Sequence, residues 1–85
     1  MASSKLLIKP SAAKEIEALP KTHRRAVVAA IAGLSNSPRP TGCEKLSGRE
    51  QYRIRRGAYR ILYEIHDDIL TIVVVKVGHR RDVYR

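Results

Sequence analysis

The N-terminal half of the chain carries the hydrophobic pattern of one short strand followed by two helices. A short apolar run over residues 5–9 predicts the strand. Apolar positions then recur three or four residues apart, which is the period of an amphipathic helix. The first helix is predicted between Ser11, as its cap, and Pro20, and the second from Thr22, as its cap, to about Ser35. The predicted buried stripes are Ala12, Ile16 and Leu19 on the first helix and Val27, Ala30, Ile31 and Leu34 on the second.

From Gln51 onwards the pattern changes to strict alternation, which is typical of strands with one buried face. Gly57 and Ala58 suit a type II′ turn, because glycine stands at its first central position. A second hairpin is predicted to turn at Asp67 and Asp68. The first turn predicts the pairs Arg55–Arg60, Ile54–Ile61, Arg53–Leu62 and Tyr52–Tyr63, and the second predicts Ile65–Leu70, Tyr63–Ile72, Ile61–Val74 and Arg60–Val75.

The two predicted registers agree on which side chains share a face of the sheet. One face, which the helices can cover, carries Tyr52, Ile54, Ile61, Tyr63, Ile65, Leu70, Ile72 and Val74. The opposite face, called the arginine face below, carries Arg53, Arg55, Arg60, Leu62, Val73 and Val75. The strand over residues 69–77 is apolar on both faces and is expected to be central. The predicted fold is α+β in two layers, with an N-terminal strand, an antiparallel two-helix hairpin and then antiparallel sheet strands.

The arginine face places like charges opposite each other. An Arg55–Arg60 pair across two strands is destabilising, by up to about 1 kcal/mol. Glu64 shares the face but lies four residues from Arg60, roughly 13 Å at strand rise, so it cannot neutralise the cluster. A phosphate bound between the guanidinium groups, with Leu62, Val73 and Val75 as an apolar floor for a base, accounts for the arrangement. A solvated strand face is the alternative.

Length, composition and charge narrow the class of protein. A chain of 85 residues predicts one domain over residues 1–85. The net charge of +9 favours an anionic partner such as nucleic acid, the ribosome or an acidic protein. Cys43 is the only cysteine, so no disulfide within the chain and no thiolate metal cluster is expected. With no apolar stretch long enough for a signal peptide or a membrane span, the chain is expected to be cytoplasmic, with no membrane contact.

Several short stretches together resemble the RelE/ParE superfamily of bacterial toxins. The last strand and tail contain the sequence VGHRRDVY over residues 77–84. Upstream, LSG stands at 46–48, YRIR at 52–55, GAYR at 57–60 and LY at 62–63. The resemblance covers nearly the whole chain, and its specific part is the C-terminal half. It implies a helical hairpin packed on an antiparallel sheet.

The resemblance also implies an activity. RelE-type toxins are ribosome-dependent endoribonucleases that cut mRNA in the ribosomal A site. They use no metal or other cofactor, and they leave a 2′,3′-cyclic phosphate and a 5′-hydroxyl. Matched to this chain, the catalytic residues are Arg53, Arg55, Arg60, Arg80 and Tyr84. The residues assigned to RNA or ribosome binding are Lys45, Arg49, Arg56, His79, Arg81 and Arg85.

Two departures from the RelE pattern affect the mechanism. RelE carries lysines where this chain has Arg53 and Arg55, and one of those lysines is the proposed base; arginine is a poor proton acceptor. The turn before Tyr84 is also shorter. The proton acceptor is therefore left open among His79, His66, His23 and Glu64, and positioning and charge without a strong base are a further option.

The resemblance implies partners as well. RelE-like toxins are held by a cognate RelB-like antitoxin, small and acidic or amphipathic, which blocks the basic face. mRNA and the 70S ribosome are the expected targets, and operator DNA is expected only through the antitoxin. Two alternatives stay open: a ParE-type inhibitor that binds DNA gyrase without cleavage, and a basic RNA- or ribosome-binding module without activity.

Overall fold

The computed structural model describes residues 4–46 and 50–81, which form two helices and five strands. A short 3-10 turn (Asp67–Ile69) joins the last two strands. Neither helix in these ranges is long and apolar enough to cross a bilayer. The helices are α1 (Pro10–Glu17) and α2 (Lys21–Leu34), and the strands are β1 (Lys5–Ile8), β2 (Glu44–Lys45), β3 (Gln51–Arg56), β4 (Tyr59–His66) and β5 (Thr71–His79).

The five strands form one sheet in the order β1-β5-β4-β3-β2. β1 runs parallel to β5, and every other neighbouring pair is antiparallel. β5 therefore has a strand on each side, which is the position expected for a strand with apolar residues on both faces. The predicted α+β order of a strand, two helices and then antiparallel strands is confirmed.

Both helices bury the stripes that their periodicity predicts. Ala12 and Ile16 of α1 are buried, Leu19 packs against the same core, and all four predicted positions of α2 are buried. The predicted caps are wrong, because each helix begins before Ser11 or Thr22 and neither N-terminus has a side-chain cap. The start of α1 is instead favoured by Pro10, its first residue. The fixed φ of proline suits a helix start, and the N–H that it lacks would have no partner within the helix.

The β3–β4 hairpin has the predicted register at all four predicted pairs. Gly57 has a φ of 60°, and the only non-glycine residue with positive φ in the described chain is Leu70. The two-residue turn therefore has positive φ only at its first central position, as a type II′ turn requires. This turn places Arg55 directly opposite Arg60.

The β4–β5 hairpin differs from the prediction because its turn is longer than two residues. The chain makes the 3-10 turn, and Leu70 follows it in the left-handed region with a φ of 48°. As a result Ile65 pairs with Ile72 instead of Leu70, and Tyr63 pairs with Val74 instead of Ile72. Leu70 is 53% exposed, so its predicted place on the helix-covered face is wrong.

A β-bulge then shifts the pairing of β4 with β5 by a further residue. Tyr63 pairs with Val74 and Leu62 with Lys76, which leaves Val75 without a partner on β4. Beyond the bulge Ile61 pairs with Val77 instead of Val74, and Arg60 pairs with Gly78 instead of Val75. A bulge exchanges the faces of the residues that follow it, so Val77 joins the core, where it is 1% exposed.

The core lies between the sheet and the two helices, and it also anchors the loop before β2. The hydroxyl of the fully buried Tyr63 donates to the Pro38 carbonyl at 2.7 Å and lies 3.3 Å from the Cys43 sulfur. Burial, together with the hydrogen bond to Cys43, raises the pKa of Tyr63 well above its usual range. Arg39 in the same loop pairs with Asp67 at 2.9 Å, and this guanidinium lowers the pKa of the Asp67 carboxyl.

Candidate active site

The arginine face is built by the tight hairpin of β3 and β4. Arg53 and Arg55 alternate with the buried Tyr52 and Ile54, so both point away from the helices. Arg60 lies opposite Arg55 in the register. Side chains directly opposite each other on neighbouring strands start roughly 5 Å apart at Cβ. The structure thus brings together three of the five predicted catalytic residues.

Glu44 supplies a carboxylate that the sequence reasoning missed. It lies on the short edge strand β2, opposite Arg53 in the register. Its Oε2 accepts a hydrogen bond from Nη2 of Arg53, and its Oε1 lies 3.7 Å from Nη2 of Arg55. From the sequence, only Glu64 is expected as a counter-charge on this face, whereas the carboxylate that contacts Arg53 and Arg55 is Glu44. Glu64 lies farther along β4 and contacts His66 at 3.0 Å.

Arg60 is not drawn into this ion pair. Its Nη1 donates to the main-chain carbonyl of Tyr59 at 3.3 Å, which holds the guanidinium beside its own strand. On the other side Arg60 faces Gly78, so no side chain of β5 stands next to it. Three guanidinium groups and one carboxylate give Arg53, Arg55, Arg60 and Glu44 together a formal charge of +2.

The three apolar residues predicted as a floor of the arginine face, Leu62, Val73 and Val75, differ in burial and position. Leu62 is only 7% exposed although it is on the face away from the helices. Leu62 pairs with Arg53 on one side and with Lys76 on the other, and the aliphatic parts of these two side chains can shield it from water. Val73 is partly buried and pairs with Glu64. The bulge takes Val75 out of the regular alternation that predicted its place on this face.

Arg80 lies at the end of the sheet near the β3–β4 turn. Its main-chain N–H donates to the carbonyl of Ala58 at 2.8 Å, which fastens the end of β5 to the hairpin. Its side chain is exposed. Arg80 and Arg60 therefore belong to the same end of the sheet, since Arg60 pairs with Gly78 two residues earlier.

Other predicted residues lie on the opposite side of the sheet. His79 pairs with Tyr59, their rings are 5.9 Å apart, and Tyr59 packs against the core. Arg56 also pairs with Tyr59 and so points to the helix-covered side. His23 of α2 also contacts the Tyr59 ring, with 5.1 Å between the ring centroids. His23 and His79 are thus separated by the sheet from the guanidinium groups that would hold a phosphate.

The remaining predicted binding residues are peripheral or undescribed. Lys45 is exposed and lies 3.7 Å from Glu50, and Arg81 is exposed beside His79. The predicted roles of Arg49, Tyr84 and Arg85 fall outside the described residues. Across residues 4–46 and 50–81, no three His, Cys, Asp or Glu side chains are grouped as metal ligands would be.

The fold is shared with chains of solved toxin–antitoxin complexes. The toxin–antitoxin complex RelBE2 from Mycobacterium tuberculosis contains a chain that superposes with a TM-score of 0.81 at 30% identity, covering 92% of this chain and 99% of that chain. A chain of the archaeal RelE–RelB complex from Pyrococcus horikoshii OT3 superposes with a TM-score of 0.83 at 26% identity, covering 95% and 99%.

Sequence comparison assigns the family. Toxin RelG of Mycobacterium tuberculosis is 38% identical over 79 residues, which is 88% of this chain and 88% of the relative. Residues 6–84 match the family described as ParE toxin of type II toxin-antitoxin system, parDE. The chain belongs to this family, within the RelE/ParE superfamily, so the predicted superfamily membership is confirmed.

Proposed function

We propose that this chain is the toxin of a type II toxin–antitoxin pair and acts as a ribosome-dependent endoribonuclease in the cytoplasm. Its substrate is mRNA in the ribosomal A site. The observation that carries the proposal is the arginine face, where Arg55 and Arg60 oppose each other and Arg53 stands beside them. A protein under selection for stability alone would not oppose like charges in this way.

The charge of this face matches the chemistry of RNA cleavage. Attack of the 2′-oxygen on phosphorus passes through a pentavalent dianion, expels the 5′-oxygen and leaves a 2′,3′-cyclic phosphate. The net positive charge of Arg53, Arg55, Arg60 and Glu44 is opposite in sign to this dianion. Fixed charges aimed at developing negative charge usually supply the largest share of catalysis. Arginine holds its proton, so these residues stabilise charge and do not accept the 2′-proton. We propose that this proton passes to water, with no strong base in the toxin, and that water in turn protonates the departing 5′-oxygen to give the 5′-hydroxyl.

Arg80 and Tyr84 complete the proposed site. The position of Arg80 beside the β3–β4 turn supports a role at the leaving 5′-oxygen, near Arg60. The assignment of Tyr84, as a residue that stacks on or orients a base, comes from the family resemblance. The named complexes contain RelB antitoxins, and for this chain we propose a RelB-like partner that neutralises part of the +9 charge.

The test is to map cuts on translated mRNA by primer extension. Arg60→Ala and Arg80→Ala are each expected to reduce cleavage by roughly 10²–10³-fold while the far-ultraviolet circular dichroism stays that of the wild type. Arg25→Ala is the matched control, because Arg25 is an exposed arginine of α2 remote from the arginine face in the fold. Full cleavage by both site variants would rule out the assignment.

Inhibition of DNA gyrase is the second candidate, and the family match to ParE toxins favours it. This activity requires binding and no cleavage. Inhibition of supercoiling by the purified toxin, with no cuts on translated mRNA, would support it over the nuclease. Cuts at codon positions without any effect on supercoiling would exclude it.

A further inference from the structure

The carboxylate of Glu44 occupies the part of the arginine face where an anion is expected to bind. Its two oxygens are divided between Arg53, to which it is hydrogen bonded, and Arg55, at 3.7 Å. The pairing of β2 with β3 sets this contact, because it places Glu44 directly opposite Arg53. Glu44 is therefore a built-in anion of the site.

A carboxylate and a phosphodiester compete for the same guanidinium groups. Both are singly charged and present two oxygens that a planar guanidinium binds with parallel hydrogen bonds. Nη2 of Arg53 is already engaged by Glu44, and the Arg53 side chain is only 17% exposed, so few of its donors face solvent. A phosphate can reach Arg53 and Arg55 fully only after the carboxylate has moved away.

The surroundings of Glu44 allow it to move. β2 is two residues long and lies at the edge of the sheet, where it pairs with β3 alone. The Glu44 side chain is 52% exposed.

We propose that Glu44 is an internal competitor of the substrate phosphate, which must displace it from Arg53 and Arg55. The proposal rests on the proposed function, in which these arginines bind RNA. The expected consequence is that the free toxin binds RNA more weakly than its three arginines alone would allow. Removing the charge of Glu44 then strengthens binding beyond the general effect of one additional positive charge.

The experiment compares Glu44→Gln with Glu50→Gln. Each variant removes one negative charge near the same sheet edge, but Glu50 contacts Lys45 and no arginine in the described chain. The probe is a short single-stranded RNA with every 2′-hydroxyl methylated, which binds but cannot be cleaved. Its dissociation constant is measured by fluorescence anisotropy at low ionic strength, where phosphate contacts dominate affinity.

Glu44→Gln is expected to bind the probe about three- to tenfold more tightly than the wild type, and Glu50→Gln less than about twofold more tightly. Equal affinities of the two variants, or weaker binding by Glu44→Gln, would overturn the inference. Arg55→Ala separates this failure from failure of the proposed function. If Arg55→Ala weakens binding, the arginine face holds RNA and only the competition is wrong; if it does not, the proposed function fails as well.

Discussion

Glu15 of α1 is predicted to stabilise the end of β5 that carries the site. The last residue of β1, Ile8, pairs with Val74. Beyond Val74, β5 therefore has no neighbouring strand on the β1 side. Glu15 replaces the missing strand: its Oε1 accepts the main-chain N–H of Val77 at 3.0 Å, and its Oε2 lies 3.2 Å from Nζ of Lys76. Lys76 and Val77 directly follow the bulge in β5.

The expected loss on Glu15→Ala can be worked out from these two contacts. A hydrogen bond to a charged acceptor contributes about 1.5–3 kcal/mol. Because the Glu15 side chain is 31% exposed, water can replace part of the bond and the lower limit applies. The exposed ion pair adds about 0.5 kcal/mol, and the better helix propensity of alanine returns a few tenths. The net loss is about 1.7 kcal/mol, or roughly 7–14 °C in Tm for a domain of this size.

The measurement is urea unfolding followed by circular dichroism, with Glu15→Gln and Glu17→Ala as companions. Glutamine keeps an oxygen for the Val77 N–H but loses the charge, so Glu15→Gln is expected to lose less than about half as much as Glu15→Ala. Glu17 is an exposed residue of the same helix, and Glu17→Ala is expected within about 0.5 kcal/mol of the wild type. The reasoning is refuted if Glu15→Ala unfolds at the same urea concentration as Glu17→Ala, or if Glu15→Gln matches Glu15→Ala.

Two further stability predictions concern the turns at the two ends of β4. Arg39 lowers the pKa of Asp67 in the folded state, so the advantage of the wild type over Asp67→Asn is expected to be full above about pH 4 and to disappear as the pH falls through the lowered pKa. Urea unfolding at about pH 6 and about pH 2.5 checks this, and a difference that does not change with pH contradicts it. Gly57→Ala is expected to cost about 1–2 kcal/mol because the φ of Gly57 is 60°. The control is Gly33→Ala, because Gly33 lies in α2 with open space around it; this variant is expected to be neutral or stabilising by up to about 1 kcal/mol. An equal loss of stability in Gly57→Ala and Gly33→Ala would exclude the turn as the cause.

The β3–β4 hairpin could be predicted because its alternation is marked on both strands. Arginines alternate with apolar residues from Tyr52 to Ile61, and Gly57 identifies the turn and its type. A slip of one residue would have buried the arginines, so only one register is compatible with the pattern. The opposition of Arg55 and Arg60 followed from this register alone.

The β4–β5 pairing could not be predicted because polar and apolar residues do not alternate along β5. Residues 72–75 are all apolar, so the sequence does not show which of them face the helices or where a bulge lies. The pair Asp67 and Asp68 is compatible with a two-residue turn and also with the longer 3-10 turn that the chain adopts. The identity of the residue opposite Arg60, Gly78, depends on both features.

Glu44 escaped prediction for a different reason. Its strand has two residues, which is too short to show any period. Glu44 contacts Arg53 because an edge strand returns to β3 after the loop anchored by Tyr63 and Arg39. Such a contact depends on the tertiary path of a loop, which local patterns do not determine.

The two faces of the sheet divide stability and function between them. The helix-covered face buries an almost entirely aliphatic and tyrosine core, which supplies the favourable free energy of folding. Because the core supplies this free energy, the fold tolerates an opposed arginine pair on the other face that is unfavourable by up to about 1 kcal/mol. Glu44 relieves the repulsion between Arg53 and Arg55, whereas Nη1 of Arg60 donates to the main-chain carbonyl of Tyr59. The net positive charge of these residues therefore lies between β3 and the start of β4, where the proposed mechanism requires it.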